Sequence, residues 1–257
     1  MLHLIDSHCH LDFDVFDNDR DSVIQRCTEL GVKDIVVPAV SRLGWPKLIE
    51  VCAERQMLHP ALGLHPMFMQ QHQASDIEAL EWAINDFQPV AIGEIGLDFF
   101  IPEHDPQSQI ALFEAQIRLA EHYQLPVILH VRKAHDAVLK VLRQSKVKGG
   151  IVHAFNGSLQ QAEQYQSLGF LFGVGGALTY PRAQKLRRLF ASLPEHSIVL
   201  ETDSPDMPLS GYQGQRNSPE MIPQVLETLA QIRNCSAATL AAVTTDNCRR
   251  IFSLHSS

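Results

Sequence analysis

The stretch "LHLIDSHCH", residues 2–10, begins with apolar residues and ends in two histidines that are separated by one residue. The apolar run predicts a β-strand. Because side chains two residues apart in a strand point to the same face, His8 and His10 are expected to project together, away from Cys9. Two imidazoles on one side of a strand end are a ready pair of metal ligands. Polar residues at a frayed terminus are the alternative, and further ligands elsewhere in the chain would decide between the two.

Short apolar runs of the same kind recur along the whole chain. The seven others are "KDIVVPAV" (33–40), "HPALGLHP" (59–66), "PVAIGEIGLD" (89–98), "PVILHVR" (126–132), "GGIVHAF" (149–155), "FLFGVGGAL" (170–178) and "SIVLETDSP" (197–205). Near-continuous apolar strands that alternate with helices are typical of a parallel sheet covered by helices. Eight such units in about 200 residues predict an α/β fold of the closed (β/α)8 TIM-barrel type. An open doubly wound sheet is the alternative, although no GxGxxG pattern follows the first strand.

Helical periodicity fills most of the segments between these runs. The predicted helices cover 20–30 before Gly31, 75–87 with a Ser75/Glu78 capping box, 105–124 with Pro106 near its start, 158–169 ending at Gly169, 219–232 and 236–253. The glycine-rich "GVGGAL" (173–178) is interpreted as tight loop packing. No low-complexity linker interrupts the pattern, so residues 1–257 are expected to form a single barrel domain.

Composition excludes several classes of protein. The chain has 257 residues, of which 45% are hydrophobic and 19% charged, an ordinary balance for a globular protein. No apolar run approaches the roughly 20 residues of a membrane span, and no signal-peptide pattern opens the chain. The five cysteines are scattered without CxxC spacing, which indicates reduced, mostly buried thiols in a cytoplasmic protein.

A net charge of −8 argues against binding duplex DNA along a broad surface. An anionic substrate would have to be held locally, by a few Arg or Lys residues and by bound metal. No membrane and no protein partner is indicated by the sequence.

A (β/α)8 barrel brings the carboxyl ends of its strands to one rim, where active sites lie. Polar residues at the ends of the predicted strands are His8 and His10, His65, Glu94 and Asp98, His130 and Arg132, His153, and Glu201 and Asp203. Imidazoles and carboxylates together suit zinc, manganese or a similar divalent ion. The sequence therefore predicts that these side chains meet at one metal-binding mouth.

Six of these residues are the candidate metal ligands: His8, His10, Glu94, His130, His153 and Asp203. Six ligands exceed what one tetrahedral ion needs, so a two-metal site is expected. Glu94 could bridge the ions, with the first two histidines on one ion and His130 and His153 on the other. Two ions would lower the pKa of a water between them, and Asp203 could also take the proton of that water as a general base.

The other rim residues have less certain roles. His65 precedes Pro66 in a loop, where it contacts substrate or gates the site, or else only supports the loop. Arg132 contacts a substrate phosphate or forms a structural ion pair. Glu201 and Asp6 are expected to support the ligands rather than bind metal. The remaining histidines, expected to be solvated or core residues, are His3, His59, His72, His104, His122, His135, His196 and His255.

An ordered set of motifs resembles the TatD family of metal-dependent hydrolases, among the amidohydrolase-like barrels, and within it the YjjV-like bacterial subgroup. The motifs are "DSHCHL" (6–11), "GLHP" (63–66), "IGEIGLDF" (92–99), "PVILHVR" (126–132), "VHAFNGS" (152–158), "LETDSP" (200–205), "RNSP" (216–219) and "NCRRIF" (247–252). Each motif is weak alone, but the set occurs in family order from residue 6 to residue 252.

The resemblance implies a barrel with two or three divalent ions, Zn²⁺, Mn²⁺ or Mg²⁺, and a deoxyribonuclease that attacks DNA from the 3′ end or repairs damaged ends. It implies the same six ligands, and it puts His65 and Arg132 near the substrate phosphate. Ala154, Asn156 and Ser204 depart from the family pattern without touching a ligand position. The segment 206–219 is longer and more polar than usual, which leaves substrate preference open.

Two other functions are compatible with the same residues. The barrel could hydrolyse a small amide, lactone or phosphoester, because a fold does not fix the substrate. A carboxylated lysine on strand four would favour that branch, but the position holds Glu94. A metal-stabilised scaffold is the non-catalytic alternative, and a complete set of six ligands argues against it.

Overall fold

A computed structural model of the chain describes residues 2–102 and 105–254. His104 and His255 therefore lie outside the described residues. Within these residues, eight strands form one sheet in the order β1 to β8, and every neighbouring pair is parallel. The strands are β1 (Leu4–Asp6), β2 (Val32–Pro38), β3 (Leu58–Leu62), β4 (Ala91–Asp98), β5 (Val127–Arg132), β6 (Gly150–Val152), β7 (Phe170–Val174) and β8 (Ile198–Leu200). The predicted eight-stranded TIM barrel is confirmed.

Backbone hydrogen bonds beyond the strand ends close the barrel between β8 and β1. Ser7 N donates to Leu200 O at 2.9 Å, Asp203 N donates to His8 O at 2.9 Å, and His10 N donates to Ser204 O at 2.8 Å. The first strand was predicted to run to His10, but β1 ends at Asp6. Beyond Asp6 the backbone still bonds to both sides, with Cys9 N donating to Val36 O at 3.1 Å, and this carries the two histidines over the mouth.

Nine α-helices of the described residues alternate with the strands. They are α1 (Arg20–Glu29), α2 (Trp45–Ala53), α3 (Asp76–Phe87), α4 (Pro106–Tyr123), α5 (His135–Leu142), α6 (Leu159–Ser167), α7 (Gln184–Ser192), α8 (Ile222–Arg233) and α9 (Ala237–Phe252). Helices α2, α5 and α7 were not among those predicted. The expected capping box of α3 is wrong, because the Ser75 side chain makes no cap hydrogen bond; the Asp76 carboxylate instead accepts from Gln73 N.

The helix ends show where local sequence signals were sufficient. Asp105 caps α4 by accepting from Gln107 N, directly before Pro106. Ser158 and Gln161 form a capping box at the start of α6. Helix α6 ends at Ser167, two residues before the predicted Gly169, whose φ of 84° reverses the chain as only glycine does easily.

Apolar side chains form two layers. The outer layer lies between strands and helices, and the inner layer takes one residue from each strand: Ile5, Val36, Ala61, Ala91, Ile128, Ile151, Leu171 and Val199. Cys248 and Phe252 of α9 pack on this inner ring. The ring fills the barrel below the mouth, so polar side chains above it have a rigid floor.

The predicted character of the cysteines is also confirmed: all five are free, and four are buried. No helix in the described part of the chain is long and apolar enough to cross a membrane.

Candidate metal centre

Glu94 of β4 lies at the middle of the mouth with 2% of its surface exposed. The register of β4 against β5 shifts between Ile92 and Ile95, and such an irregularity redirects a side chain. A glycine is needed before Glu94, because a Cβ at Gly93 would lie 2.6 Å from Ile128 Cβ. The bulged segment thus aims a carboxylate, buried on all sides, into the barrel mouth.

The two oxygens of Glu94 face two different sets of imidazoles. Oε1 lies 3.1 Å from His65 Nε2 and 3.0 Å from His130 Nδ1. Oε2 lies 3.2 Å from His8 Nε2 and 3.5 Å from His10 Nε2. A carboxylate that offers one oxygen to each of two imidazole groups has the arrangement that bridges a pair of ions.

The strand-one histidines face each other, as the sequence predicts. His8 Nε2 and His10 Nε2 are 3.3 Å apart. The backbone carbonyl of Pro38 lies 3.0 Å from His10 Nδ1, so Nδ1 carries the proton that it donates there. The lone pair of Nε2 is then directed at the centre of the mouth, which is the orientation of a metal ligand.

Asp203 and His153 complete the side of the mouth opposite β4. Asp203 Oδ1 lies 3.5 Å from His8 Nε2, and its Oδ2 lies 3.6 Å from His153 Nε2. The His153 ring stacks on His8 with centroids 3.9 Å apart. Asp203 has a φ of 57°, a left-handed conformation that Asp tolerates better than most residues.

Glu201 stands behind His153. Its Oε1 accepts from Ala154 N at 2.7 Å and lies 3.1 Å from His153 Nδ1. Its carboxylate fits only because β7 has a glycine there, since a Cβ at Gly173 would lie 1.9 Å from Glu201 Oε2. The predicted tight packing of "GVGGAL" therefore makes room for a carboxylate that orients a histidine.

The hydrogen bond to the second ring nitrogen distinguishes His65 from His130. Asp98 Oδ2 accepts from His130 Nε2 at 3.0 Å, so the lone pair of His130 Nδ1 faces the mouth. His65 is the reverse case: its Nδ1 accepts from Met67 N at 3.1 Å. The proton of neutral His65 must then be on Nε2, where it is donated to Glu94. His65 is therefore built as a hydrogen-bond donor rather than as a metal ligand.

Burial and mutual charge shift the pKa values of the group in opposite directions. Burial disfavours the charged form of each histidine, but Glu94 raises the pKa of His10 to about 9, and Asp203 with Glu201 raises the pKa of His153 to about 10. Burial, with His153 beside it, holds the pKa of His8 well below its usual value. Burial also raises the pKa of Asp203 to about 6. The carboxylates of the mouth therefore favour positive charge at His10 and His153, while burial favours the neutral form of His8.

The donor set fits divalent metal ions. Groups of side chains whose ligand atoms all lie within 4.8 Å of one another are His8, His10 and Glu94; His65, Glu94 and His130; and His8, His153 and Glu201. Three buried atoms of this centre, His8 Nδ1, His153 Nδ1 and Glu201 Oε2, have no hydrogen-bond partner among the described residues. Facing imidazole nitrogens beside carboxylate oxygens match the ligand types of Zn²⁺ and similar ions.

A cavity of about 480 Å³ opens beside this group toward β6, β7 and α7. His153 and Asp203 lie on its inner wall, and Leu186 and Phe190 form an apolar far wall. Arg132, exposed at the cavity rim, has its guanidinium 3.9 Å from the centroid of the Phe100 ring and is not in the groups described above. The cavity gives a substrate access to one side of the metal group.

All six predicted ligands and His65 thus converge at one mouth, while Arg132 lies at its edge. His130 and His153, expected on the same ion, have ring centroids 6.4 Å apart, and His153 also stacks on His8; that pairing stays a prediction. The sequence placed Asp98 at the rim without a role. The available signal was that Asp98 and His130 lie at the ends of consecutive predicted strands.

Comparison with known proteins agrees with this geometry. The family model described as TatD related DNase matches residues 5–253 of the chain. The chain belongs to the TatD family. Its TatD relatives include the uncharacterized metal-dependent hydrolase YjjV of Escherichia coli K12, 42% identical over 97% of this chain and 98% of that protein. The crystal structure of YjjV, a TatD homolog, matches with a TM-score of 0.94, covering 98% of both chains at 41% identity.

A second TatD relative carries a more specific name. The 3′-5′ ssDNA/RNA exonuclease TatD of Erwinia tasmaniensis is 32% identical over 93% of this chain and 95% of that protein. The sequence-based assignment to the TatD family and its YjjV-like subgroup is confirmed. The chain is a metal-dependent hydrolase of this family, with His, Asp and Glu groups that could hold the metal.

Proposed function

We propose that this TatD-family hydrolase is a deoxyribonuclease that removes nucleotides from the 3′ end of single-stranded DNA. The observation that carries the proposal is that the two carboxylate oxygens of Glu94 face separate imidazole groups beside an open cavity. Paired divalent ions supply Lewis-acid stabilisation of charge on phosphate oxygens and acidify a water. We assign His8, His10, Glu94, His130, His153 and Asp203 as the residues that would hold them.

The side chains of this centre divide the remaining work. Asp203 lies both in the metal group and on the cavity wall, where its carboxylate accepts the proton of the attacking water. His65 holds its proton on Nε2 and positions Glu94 by donating to it. Arg132 at the rim pairs with a phosphate oxygen of the strand that enters. Glu201 and Asp98 keep His153 and His130 in the productive orientation.

Nucleic acid as substrate is supported by two observations. The relative from Erwinia tasmaniensis is named as a 3′-5′ ssDNA/RNA exonuclease. In addition, the cavity mouth carries a cation in a chain of net charge −8, which favours local capture of one strand end over contact along a duplex.

The test uses a single-stranded DNA oligonucleotide that is labelled at its 5′ end. Wild-type protein loaded with Mn²⁺ or Mg²⁺ should shorten it stepwise, and a 3′-phosphorothioate end should stop the reaction. Asp203→Asn at equal metal loading should lower the rate about 10²- to 10⁴-fold, the usual contribution of a general base. Asp206→Asn is the matched control, because Asp206 lines the same cavity, whereas among the described residues it is Asp203 that faces His8 and His153; the control should remain close to wild type.

Equal product traces from wild type and Asp203→Asn would overturn the nuclease proposal. The apolar far wall formed by Leu186 and Phe190 favours a small substrate as the second candidate. Metal-dependent turnover of a lactone, an amide or a small phosphoester, without oligonucleotide cleavage, would establish that candidate.

A further inference from the structure

A second pocket of about 420 Å³ adjoins the cavity of the metal centre on the side of β5 and α6. Arg132 and Asn156 line both spaces, so the two are adjacent. Lys133, Lys185 and Phe100 line the second pocket but not the first. Nothing in the mechanism proposed above uses these three residues.

The lining of this pocket is basic in an acidic protein. Arg132, Lys133 and Lys185 converge on it, and no Asp or Glu of the described residues is among its lining residues. None of the three cations forms an ion pair with a carboxylate of the described residues within 4.0 Å. Three cations without such a neutralising partner, in a chain of net charge −8, create a local site for an anion.

Phe100 adds a flat apolar surface to this pocket. It is 54% exposed, and the Arg132 guanidinium lies 3.9 Å from its ring centroid. Single exposed aromatic residues are common and need no function. Phe100 differs because its backbone N–H donates to Asp98 Oδ1 at 2.9 Å, and the other oxygen of Asp98 holds His130. These hydrogen bonds place the backbone of Phe100 beside the metal centre.

We propose that this pocket binds the nucleotide next to the scissile phosphodiester of a single-stranded nucleic acid. Its base stacks on the ring of Phe100, which the Arg132 guanidinium contacts, and its phosphate lies between Lys133 and Lys185. Stacking on a protein ring requires an unpaired base, which selects single strands and tolerates every base type. This inference rests on the proposed nuclease function and specifies how its substrate is held.

The first test removes the aromatic surface. Binding of a 5′-fluorescein-labelled phosphorothioate decathymidylate, which resists cleavage, is measured by fluorescence anisotropy with the metal-loaded protein. Phe100→Ala should weaken binding roughly 10-fold, as for loss of one base-aromatic stack. Phe100→Trp should restore it. Trp82→Ala is the matched control, since Trp82 is a 63% exposed aromatic residue on α3, and it should leave binding unchanged.

The second test removes the two lysine charges. In the double variant Lys133→Gln, Lys185→Gln, the slope of log K against log salt should fall by about 0.7, the value for one neutralised phosphate on a single strand. The control is Lys146→Gln, Lys148→Gln, which makes the same charge change ahead of β6 at the other end of the barrel. That control should keep the wild-type slope.

A small phosphodiester separates failure of the pocket from failure of the function. Hydrolysis of bis(p-nitrophenyl) phosphate by wild type needs the metal centre but no neighbouring nucleotide, so it reports the metal centre independently of DNA binding. If wild type shortens DNA while Phe100→Ala and the lysine variant bind it normally, the pocket proposal is overturned and the nuclease stands. If wild type neither binds nor shortens DNA, both are overturned.

Discussion

The two ends of the barrel each hold a cluster of titratable side chains, but they differ in how the ligand atoms of the histidines are arranged. At the amino-terminal end, Asp34 accepts from His3 Nε2 at 3.0 Å and from His59 Nε2 at 2.8 Å. Arg249 of α9 lies 3.0 Å from the same His3 ring. One carboxylate is matched there by two imidazoles and a guanidinium.

At the carboxyl-terminal end the matching is incomplete. Nε2 atoms of His8 and His10 face each other at 3.3 Å, and Glu201 Oε2 and His8 Nδ1 are buried without a hydrogen-bond partner among the described residues. Buried polar groups are normally satisfied, so unsatisfied ones require an explanation. The difference teaches that burial of polar residues alone does not mark a site, whereas buried ligand atoms that face each other do.

The largest effect should come from breaking the metal end at its centre. Glu94→Gln removes the charge and one of the two oxygens that face the imidazole groups. We expect metal content to fall and turnover to drop by more than the roughly 100-fold that loss of a supporting residue causes. Metal per chain by plasma mass spectrometry and the rate on labelled DNA measure this. Glu114→Gln on α4 is the control, and a full metal complement in Glu94→Gln would contradict the assignment.

A smaller effect should follow from changing the support of a single ligand. Asp98 accepts from Phe100 N through Oδ1 and from His130 Nε2 through Oδ2. In Asp98→Asn the Phe100 N–H still donates its hydrogen bond to the side-chain oxygen, so the amide NH₂ group takes the position that faces His130. The His130 proton then moves to Nδ1, which occupies the lone pair that faces Glu94.

We expect Asp98→Asn to lower metal affinity about 10- to 100-fold with the fold intact. Titration of the metal-free protein with Zn²⁺ under competition by a chelating dye gives the affinity, and far-UV circular dichroism monitors the fold. Asp246→Asn, an exposed change on α9, is the control. Wild-type affinity in Asp98→Asn would show that His130 does not bind through Nδ1.

The smallest effect should come from the amino-terminal end of the barrel, and it should concern the stability of the fold alone. Burial by itself would raise the pKa of Asp34, but hydrogen bonds from His59 and His3 outweigh it and hold that pKa below its usual value. Asp34→Asn should therefore cost about 2 kcal/mol at pH 7, the range for hydrogen bonds to a charged group, without changing turnover.

The sign of the pH dependence follows from the lowered pKa of Asp34. Its contribution is present above the pKa of an unfolded aspartate, about 3.9, and is lost as the pH falls through the lower folded value. Urea unfolding of wild type and Asp34→Asn between pH 7 and pH 3 should show the difference shrinking in acid. Asp86→Asn on α3 should show no such difference, and a gap that widens in acid would refute the assignment.

Much of the barrel was predictable because its signals are local. Eight apolar runs identified the eight strands, and the polar residues at the ends of six of them identified the mouth, since parallel strands end at one rim. The same logic was insufficient for α3, where Ser75 and Glu78 match a capping pattern that Asp76 replaces. Helices α2, α5 and α7 were missed, although each buries apolar residues against the barrel.

By itself, the sequence determined the fold, the family and the set of ligand types, because periodicity and strand ends depend only on residues near each other in the chain. Only the tertiary structure decided which nitrogen of each histidine faces the mouth. Met67 N fixes one tautomer at His65, and Asp98 fixes the opposite one at His130. The tautomer of a histidine depends on the hydrogen-bond partner of its second ring nitrogen, and the partner of His130 comes from a different strand. The residues that line the basic pocket beside Phe100 likewise come from different strands and helices of the barrel.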